Sequence, residues 1–175
     1  MVKWFDYKMA STKKSSRFTK DADVPPPLIG ALLRVPLDHV RRHMLTRLHE
    51  RGFDDLDIAH LNVLQYPGPQ GKRPSEITSH ARVSKQALNY LLNEVERLGY
   101  IERRVDPDDA RSKRIVLTRR GEAVRVAIRE AVAEVERDWE RQLGKQRFAT
   151  LKTILGDLFA LLSEQAGNGR ARVRS

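Results

Sequence analysis

Residues 84–121, SKQALNYLLNEVERLGYIERRVDPDDARSKRIVLTRRG, decide how the rest of the chain is read. Leu88, Leu91, Leu92, Val95 and Leu98 recur at helical spacing, so Ser84 to Leu98 predicts a helix with one buried, apolar face. Ser84 suits the N-cap, Ala87 stands where a capping box would carry Glu or Gln, and Gly99 suits the stop after the last turn. Lys85 opens the helix, and Gln86, Asn89, Tyr90, Asn93 and Arg97 fall on or near its other face. Amides, a phenol and cations can exchange hydrogen bonds with base edges, whereas a face built only for solvent leans on Glu and Lys pairs.

The pattern then changes to a hairpin. Tyr100 to Val105 and Lys113 to Leu117 cluster β-formers around a turn at residues 106–112, where Asp106, Pro107, Asp108 and Asp109 supply turn chemistry. Arg103, Arg104, Arg111, Lys113, Arg114, Arg119 and Arg120 crowd on or beside it. Guanidinium groups at a protruding tip suit phosphate and a narrow minor groove. Upstream, Pro74 to Ala81 predicts a short helix with Ser75 near its start, and Arg82-Val83 turn the chain into Ser84. Two helices on a tight turn, the second with a polar face, make a helix-turn-helix.

The run Lys85-Gln86-Ala87-Leu88-Asn89 to Leu98-Gly99-Tyr100-Ile101, then Arg104, the stretch Asp106 to Lys113 and Val116-Leu117-Thr118-Arg119-Arg120-Gly121, resembles the winged helix-turn-helix of MarR-type regulators. The resemblance extends from about Leu28 to about Glu164, and its wing pattern, Asp-Pro, a second Asp, an Arg two residues on and a closing Leu-Thr-x-x-Gly, is specific. Members often carry Gly in the turn between the two helices, where Arg82 stands here; a non-Gly residue must accept positive φ at a cost or end the first helix differently. Residues 1–24 match nothing in the pattern.

The resemblance implies a mainly α fold with a small β-wing, a winged helix-turn-helix joined to dimerisation helices from both termini. It implies a homodimer on double-stranded DNA at an inverted-repeat operator, and an anionic or aromatic effector held between the lobes near the first, second and fifth helices. Arg42, His43, His60 and Tyr66 are the candidates for that effector. The DNA-facing set is Ser75, Ser84, Lys85, Gln86, Asn89, Tyr90, Asn93, Arg103, Arg104, Arg111, Lys113 and Arg114, with Arg111 entering the minor groove. Asp106 and Asp109 shape the wing, Asp109 by pairing with a nearby Arg.

Charge agrees with an anionic partner. The 175 residues carry 33 Lys and Arg against 23 Asp and Glu, a net +10. Residues 67–120 hold twelve basic and seven acidic side chains, whereas residues 121–166 hold seven and eight, so the excess lies on the presumed DNA-binding segment and the tails. No cysteine is present, which excludes disulfides, thiol nucleophiles and the Cys-based redox sensing of some MarR-type regulators. No apolar run approaches the ~20 residues of a membrane span, and Trp4-Phe5 meets Asp6 and Lys8 at once, unlike a signal peptide. The expected compartment is cytoplasmic.

The organisation reads as a basic, disordered arm over 1–27, dimerisation helices over 28–52 and 145–166, a winged helix-turn-helix lobe over 53–121, a connecting helix over 118–142 and a disordered basic tail over 167–175. Leu33, Leu37, Val40, Met44 and Leu48 form one stripe and Phe148, Leu151, Leu155, Leu158 and Leu162 another. Pro36 marks a kink or a first-turn position. Long helices at both ends of so small a chain cannot all be buried within it, so a second copy is the natural partner.

His39 and His43, four residues apart, have a spacing that can chelate a metal, but no Cys or Glu at ligand spacing completes a site, and no metal or cofactor is expected. No His-Glu-x-x-His, Walker loop or nucleophile elbow is present, so an enzyme reading has no site to attach to. The sequence therefore reads as a sequence-specific repressor released by a small molecule. Its rival is a winged-helix scaffold for protein or RNA, against which the polar Gln86, Asn89 and Tyr90 face argues, because a protein interface core favours apolar anchors.

Overall fold

A computed structural model of the chain describes residues 26–65, 67–68, 70–81 and 84–171. The chain divides into two units, residues 1–36 and 37–175. In the first, the Leu28 carbonyl accepts from the N–H groups of Ala31 and Leu32 at 2.9 and 3.1 Å and so starts helix α1 (Ile29–His49). Leu28, Ile29, Leu32, Leu33 and Val35 are exposed there. Pro36 lies inside α1 rather than in its first turn, where its ring removes one intrahelical donor.

The second unit holds the rest of α1, then α2 (Ile58–Leu64), α3 (Pro74–Ala81), α4 (Lys85–Arg97), strands β1 (Ile101–Asp106) and β2 (Asp109–Leu117), α5 (Arg119–Leu143) and α6 (Lys145–Ala171). Its core gathers Leu48 from α1, Leu61 and Leu64 from α2, Ile77 from α3, Leu88, Leu92 and Val95 from α4, Ile115 and Leu117 from β2 and Val124 from α5, together with the fully buried Tyr100. The leucine spacing of α4 thus predicts its buried face. Ser84 caps the helix by accepting from the Ala87 N–H at 3.1 Å, and Gly99, at φ 78°, stops it in a conformation that a Cβ would strain.

The hairpin is tighter than its sequence suggests. Pairing runs from Ile101 with Leu117 to Val105 with Lys113, and then shifts so that Asp106 pairs with Asp109. The turn is therefore Pro107-Asp108, and residues 109–112, expected in the turn, belong to β2. The shift leaves residues 110–112 as an irregularity near the tip. Lys72 adds one antiparallel bridge to Ile115, exchanging backbone bonds of 3.0 and 2.8 Å.

The start of α5 accounts for the Leu-Thr-x-x-Gly pattern. Thr118 caps the helix by accepting from the Gly121 N–H at 3.1 Å. A Cβ on Gly121 would lie 2.0 Å from the Tyr100 carbonyl oxygen, so this buried position admits no side chain.

The stripes of the long helices are only partly buried. On α1 Leu48 is buried and Met44 packs against the core, but Leu37 is exposed; on α6 Phe148 is buried, while Leu155, Leu158 and Leu162 of the stripe, with Ile154, Phe159 and Leu161, face outward. The helix α6 continues to Ala171, so residues 167–171, which composition reads as disordered tail, are helical; small residues and Arg do not bar a helix already propagating. Among the described residues no helix is long and apolar enough to cross a membrane. The arm over 1–25, residues 172–175 and the turn geometry at Arg82 lie outside the described residues.

Candidate nucleic-acid interface

The burial of Leu88, Leu92 and Val95 turns Ser84, Lys85, Gln86, Asn89, Tyr90 and Asn93 outward. Tyr90, 63% exposed, is the largest of these side chains, and an exposed aromatic beside two amides is an unusual way to meet water. The side chains of Gln86, Asn89 and Tyr90 make no hydrogen bond among the described residues, which leaves their polar atoms available to a ligand. Ser75, in the first turn of α3, is also exposed.

Other predicted contacts are committed within the fold. Arg103 forms an ion pair with Glu96, and its second amino group donates to the Asn93 carbonyl at 2.8 Å, so Arg103 and Asn93 brace β1 against α4. Arg104 pairs with Glu102 along its own strand and stays exposed. Arg114 is not a loose cation: its Nε lies 3.1 Å from Asp106 and its Nη2 donates to Asp108 at 2.8 Å. Arg111 and Lys113 remain exposed near the tip without side-chain partners among the described residues.

Two carboxylates hold the wing, and the ionic one is Asp106 rather than Asp109. Asp109, expected to pair with an Arg, makes no ion pair among the described residues. It accepts from Ser112 Oγ at 2.7 Å and from the Arg111 N–H at 3.1 Å, a local turn bond that an Asp makes readily. These bonds hold its carboxyl below the usual range, Ser112 foremost.

Asp106 is the ionic clamp. Its side chain is wholly buried; it accepts from Arg73 Nε at 2.6 Å and from the Asp108 N–H at 3.0 Å, beside Arg114. The Arg73 hydrogen bond, then the Asp108 amide and Arg114, lower its pKa to about 2. Arg73, just before α3, was not singled out from sequence: it lies 33 residues from its partner, a distance no local pattern bridges.

Because the folded pKa is depressed below the unfolded ~3.9, the clamp's contribution is present above about pH 4 and is lost as pH falls through about 2. Asp106→Asn is expected to weaken the fold at neutral pH and to flatten the dependence of stability on pH in that window by up to about one proton. Urea midpoints measured from pH 5 to pH 2 on both proteins check this; parallel curves would count against the clamp.

Of the expected effector residues, Arg42, His43 and His60 do not gather in one pocket. A cleft of about 220 Å³ lies between α1, α2 and α5, with Val40, Met44, Leu61, Ile128 and Val132 among its apolar walls. Arg41, Asn62 and Gln65 are its polar lining. Arg42 is exposed and does not line it, since the cleft-facing positions of α1 are 37, 40, 41 and 44 and a one-residue step turns a helix by about 100°. His43 faces α5 instead, where its Nε2 lies 3.0 Å from Glu134, a carboxylate that also accepts from Arg47 at 2.7 Å. His39 stacks on Trp139 with ring centroids 6.1 Å apart. His60 is buried between Asp57 and Glu94, and Tyr66 lies outside the described residues. Among the described residues no group of three or more His, Cys, Asp or Glu is placed to hold a metal ion.

Residues 54–112 match the MarR family. The fold of this segment is similar to that of solved MarR-family winged helices. A MarR family transcription regulator of solved structure is 26% identical, with 78% of this chain and 88% of that one covered at a TM-score of 0.55. The reduced form of MarR from E. coli is 22% identical, covered over 77% of this chain and 98% of its own, at a TM-score of 0.66. FabT from Streptococcus pneumoniae, solved in complex with DNA, is 21% identical over 78% of this chain and 96% of its own, also at 0.66. No curated protein matches the chain. Within the matched segment α3 and α4, followed by β1 and the start of β2, have the element order of a winged helix-turn-helix.

Proposed function

We propose that the protein is a cytoplasmic, homodimeric, sequence-specific regulator of transcription that binds double-stranded DNA at an inverted-repeat operator. In this reading it represses, and an anionic or aromatic small molecule releases it. The observation that carries the reading is the outward face of α4, where Gln86, Asn89 and Tyr90 stand without internal partners among the described residues, together with Arg111 and Lys113 exposed on the wing. Amide side chains can bond bidentately to adenine in the major groove, while Arg111 on the wing suits the negative potential of a narrow minor groove. The DNA complex of FabT, similar in fold, supports this arrangement. Selecting bound duplex fragments from the source genome tests the proposal; recovery of no enriched sequence would overturn it.

Gln86→Ala is expected to cost ~1 to 3 kcal/mol on the operator and little on random duplex, relaxing preference at one position. Arg111→Ala is expected to weaken binding more evenly and to lower the salt slope by about one unit per wing. Anisotropy titrations on operator and scrambled duplexes separate the two patterns.

The homodimer rests on the outward apolar surface of α6, where Ile154, Phe159 and Leu161 are 59%, 74% and 53% exposed. A run of this kind in water calls for a partner, and a second copy supplies the same surface. Sedimentation at micromolar concentration is expected to give about twice 20.1 kDa, and half-sites ~10 bp between centres should follow from the two-fold symmetry. A clean monomer with and without DNA would remove the basis for the inverted repeat. For the effector, the apolar walls of the cleft with Arg41, Asn62 and Gln65 suit an aromatic body bearing an anionic or hydrogen-bonding group.

A further inference from the structure

The short helix α2 stands between the cleft and α4. Ile58, Leu61, Asn62 and Gln65 recur on one of its faces and line the cleft. His60 leaves from another face, is buried, and has both ring nitrogens engaged. The Asp57 N–H donates to Nδ1 at 3.1 Å, and Nε2 lies 3.2 Å from the Glu94 carboxylate on α4. Because Nδ1 accepts, the proton of the neutral ring sits on Nε2 and donates to Glu94. The His60 N–H in turn donates to the Asp57 carboxylate at 3.0 Å, so the ring and the capped start of α2 form one unit. Glu94 is one helical turn from Tyr90 and one residue from Asn93, on the helix that carries the outward amides.

We propose that His60 is a positioning residue that transmits occupation of the cleft from α2 to the outward face of α4 through its hydrogen bond to Glu94. This deepens the proposed function and rests on α4 being the DNA-reading helix. A group entering the cleft must push on the α2 face that lines it. The apolar contacts between α2 and α4 are non-directional and tolerate a small slide, whereas a buried imidazole bonded at both ends does not, because parting it from Glu94 would leave a buried donor unpaired. The displacement of α2 is therefore passed to α4 at Glu94.

The cleft can be filled without a ligand by Val132→Trp on α5, and the response read as amide hydrogen exchange in the full chain. In the otherwise unchanged protein, Val132→Trp is expected to alter exchange of the α4 amides 86–97 by about fivefold or more, the lower end of ordinary coupling between sites. Adding Glu94→Leu, which removes the acceptor on a half-buried position, should abolish that response in α4 while amides 58–65 of α2 still respond. Adding Glu94→Gln, whose amide oxygen can still accept from Nε2, should retain it, which a loss of general stability would not do. A response in α4 that survives Glu94→Leu, or one missing with Glu94 in place, overturns the proposal. Operator affinity measured on the same proteins keeps the two readings apart: failure of the unmodified chain to bind any genomic duplex removes the DNA role of α4, whereas the exchange data alone decide whether His60 couples α2 to it.

Discussion

Between about 50 and 200 mM salt, affinity for the operator is expected to fall ~10³-fold or more, as for a protein that neutralises ~6 to 10 phosphates. The structure narrows which cations can produce this. Arg73, Arg103 and Arg114 are held by Asp106, Glu96 and Asp108 and cannot all turn to phosphate without dismantling the wing. Lys85, Arg104, Arg111 and Lys113 are exposed, and Arg104 is paired only along the surface with Glu102. In the proposed homodimer, four such groups on each protomer fall in the required range. Anisotropy titrations across the salt series give the slope directly. Binding indifferent to salt would show that the basic excess is a solubility feature and that α4 meets a neutral partner.

Gly121→Ala is expected to destabilise the chain by about 3 kcal/mol or more, at the upper end of what overpacking costs. The new methyl would sit 2.0 Å from the Tyr100 carbonyl oxygen and 3.1 Å from Leu117, and backbone cannot move aside as a flexible side chain can. Tyr100 is itself fixed: its hydroxyl donates to Asp55, whose carboxylate also accepts from Arg120 at 2.9 Å, and the Arg120 guanidinium lies 4.3 Å above its ring. Strain at this contact therefore spreads to the joint of α4, β1 and α5. Gly156→Ala in α6 is the control, since a Cβ there meets nothing within 4 Å; it should be neutral or stabilise by about 0.5 to 1 kcal/mol through helix propensity. Urea denaturation of both variants tests the opposite signs. Equal effects would mean that the close approach to Tyr100 does not constrain the fold.

The outward face of α4 was legible in the chain. Its leucine spacing, the Ser84 cap and the Gly99 stop are short-range properties, and turning the apolar face inward turns Gln86, Asn89 and Tyr90 outward. The wing was legible as a hairpin with an Asp-Pro turn, but not in register, because alternation of residue types tolerates the shift at Val105 and Asp106.

Sequence alone thus determined the helical periods, their caps, the winged helix-turn-helix order and the basic excess around it, all of which depend on neighbours within a turn or a hairpin. The tertiary structure decided which charges meet. It made Asp106 rather than Asp109 the ionic clamp through Arg73, drew His60 to Glu94 across 34 residues, gave the cleft to Arg41, Asn62 and Gln65 in place of Arg42 and His43, and left much of α6 outward. Those outcomes depend on the angles at which helices pack, and side-chain pairings between distant segments follow only once that packing exists.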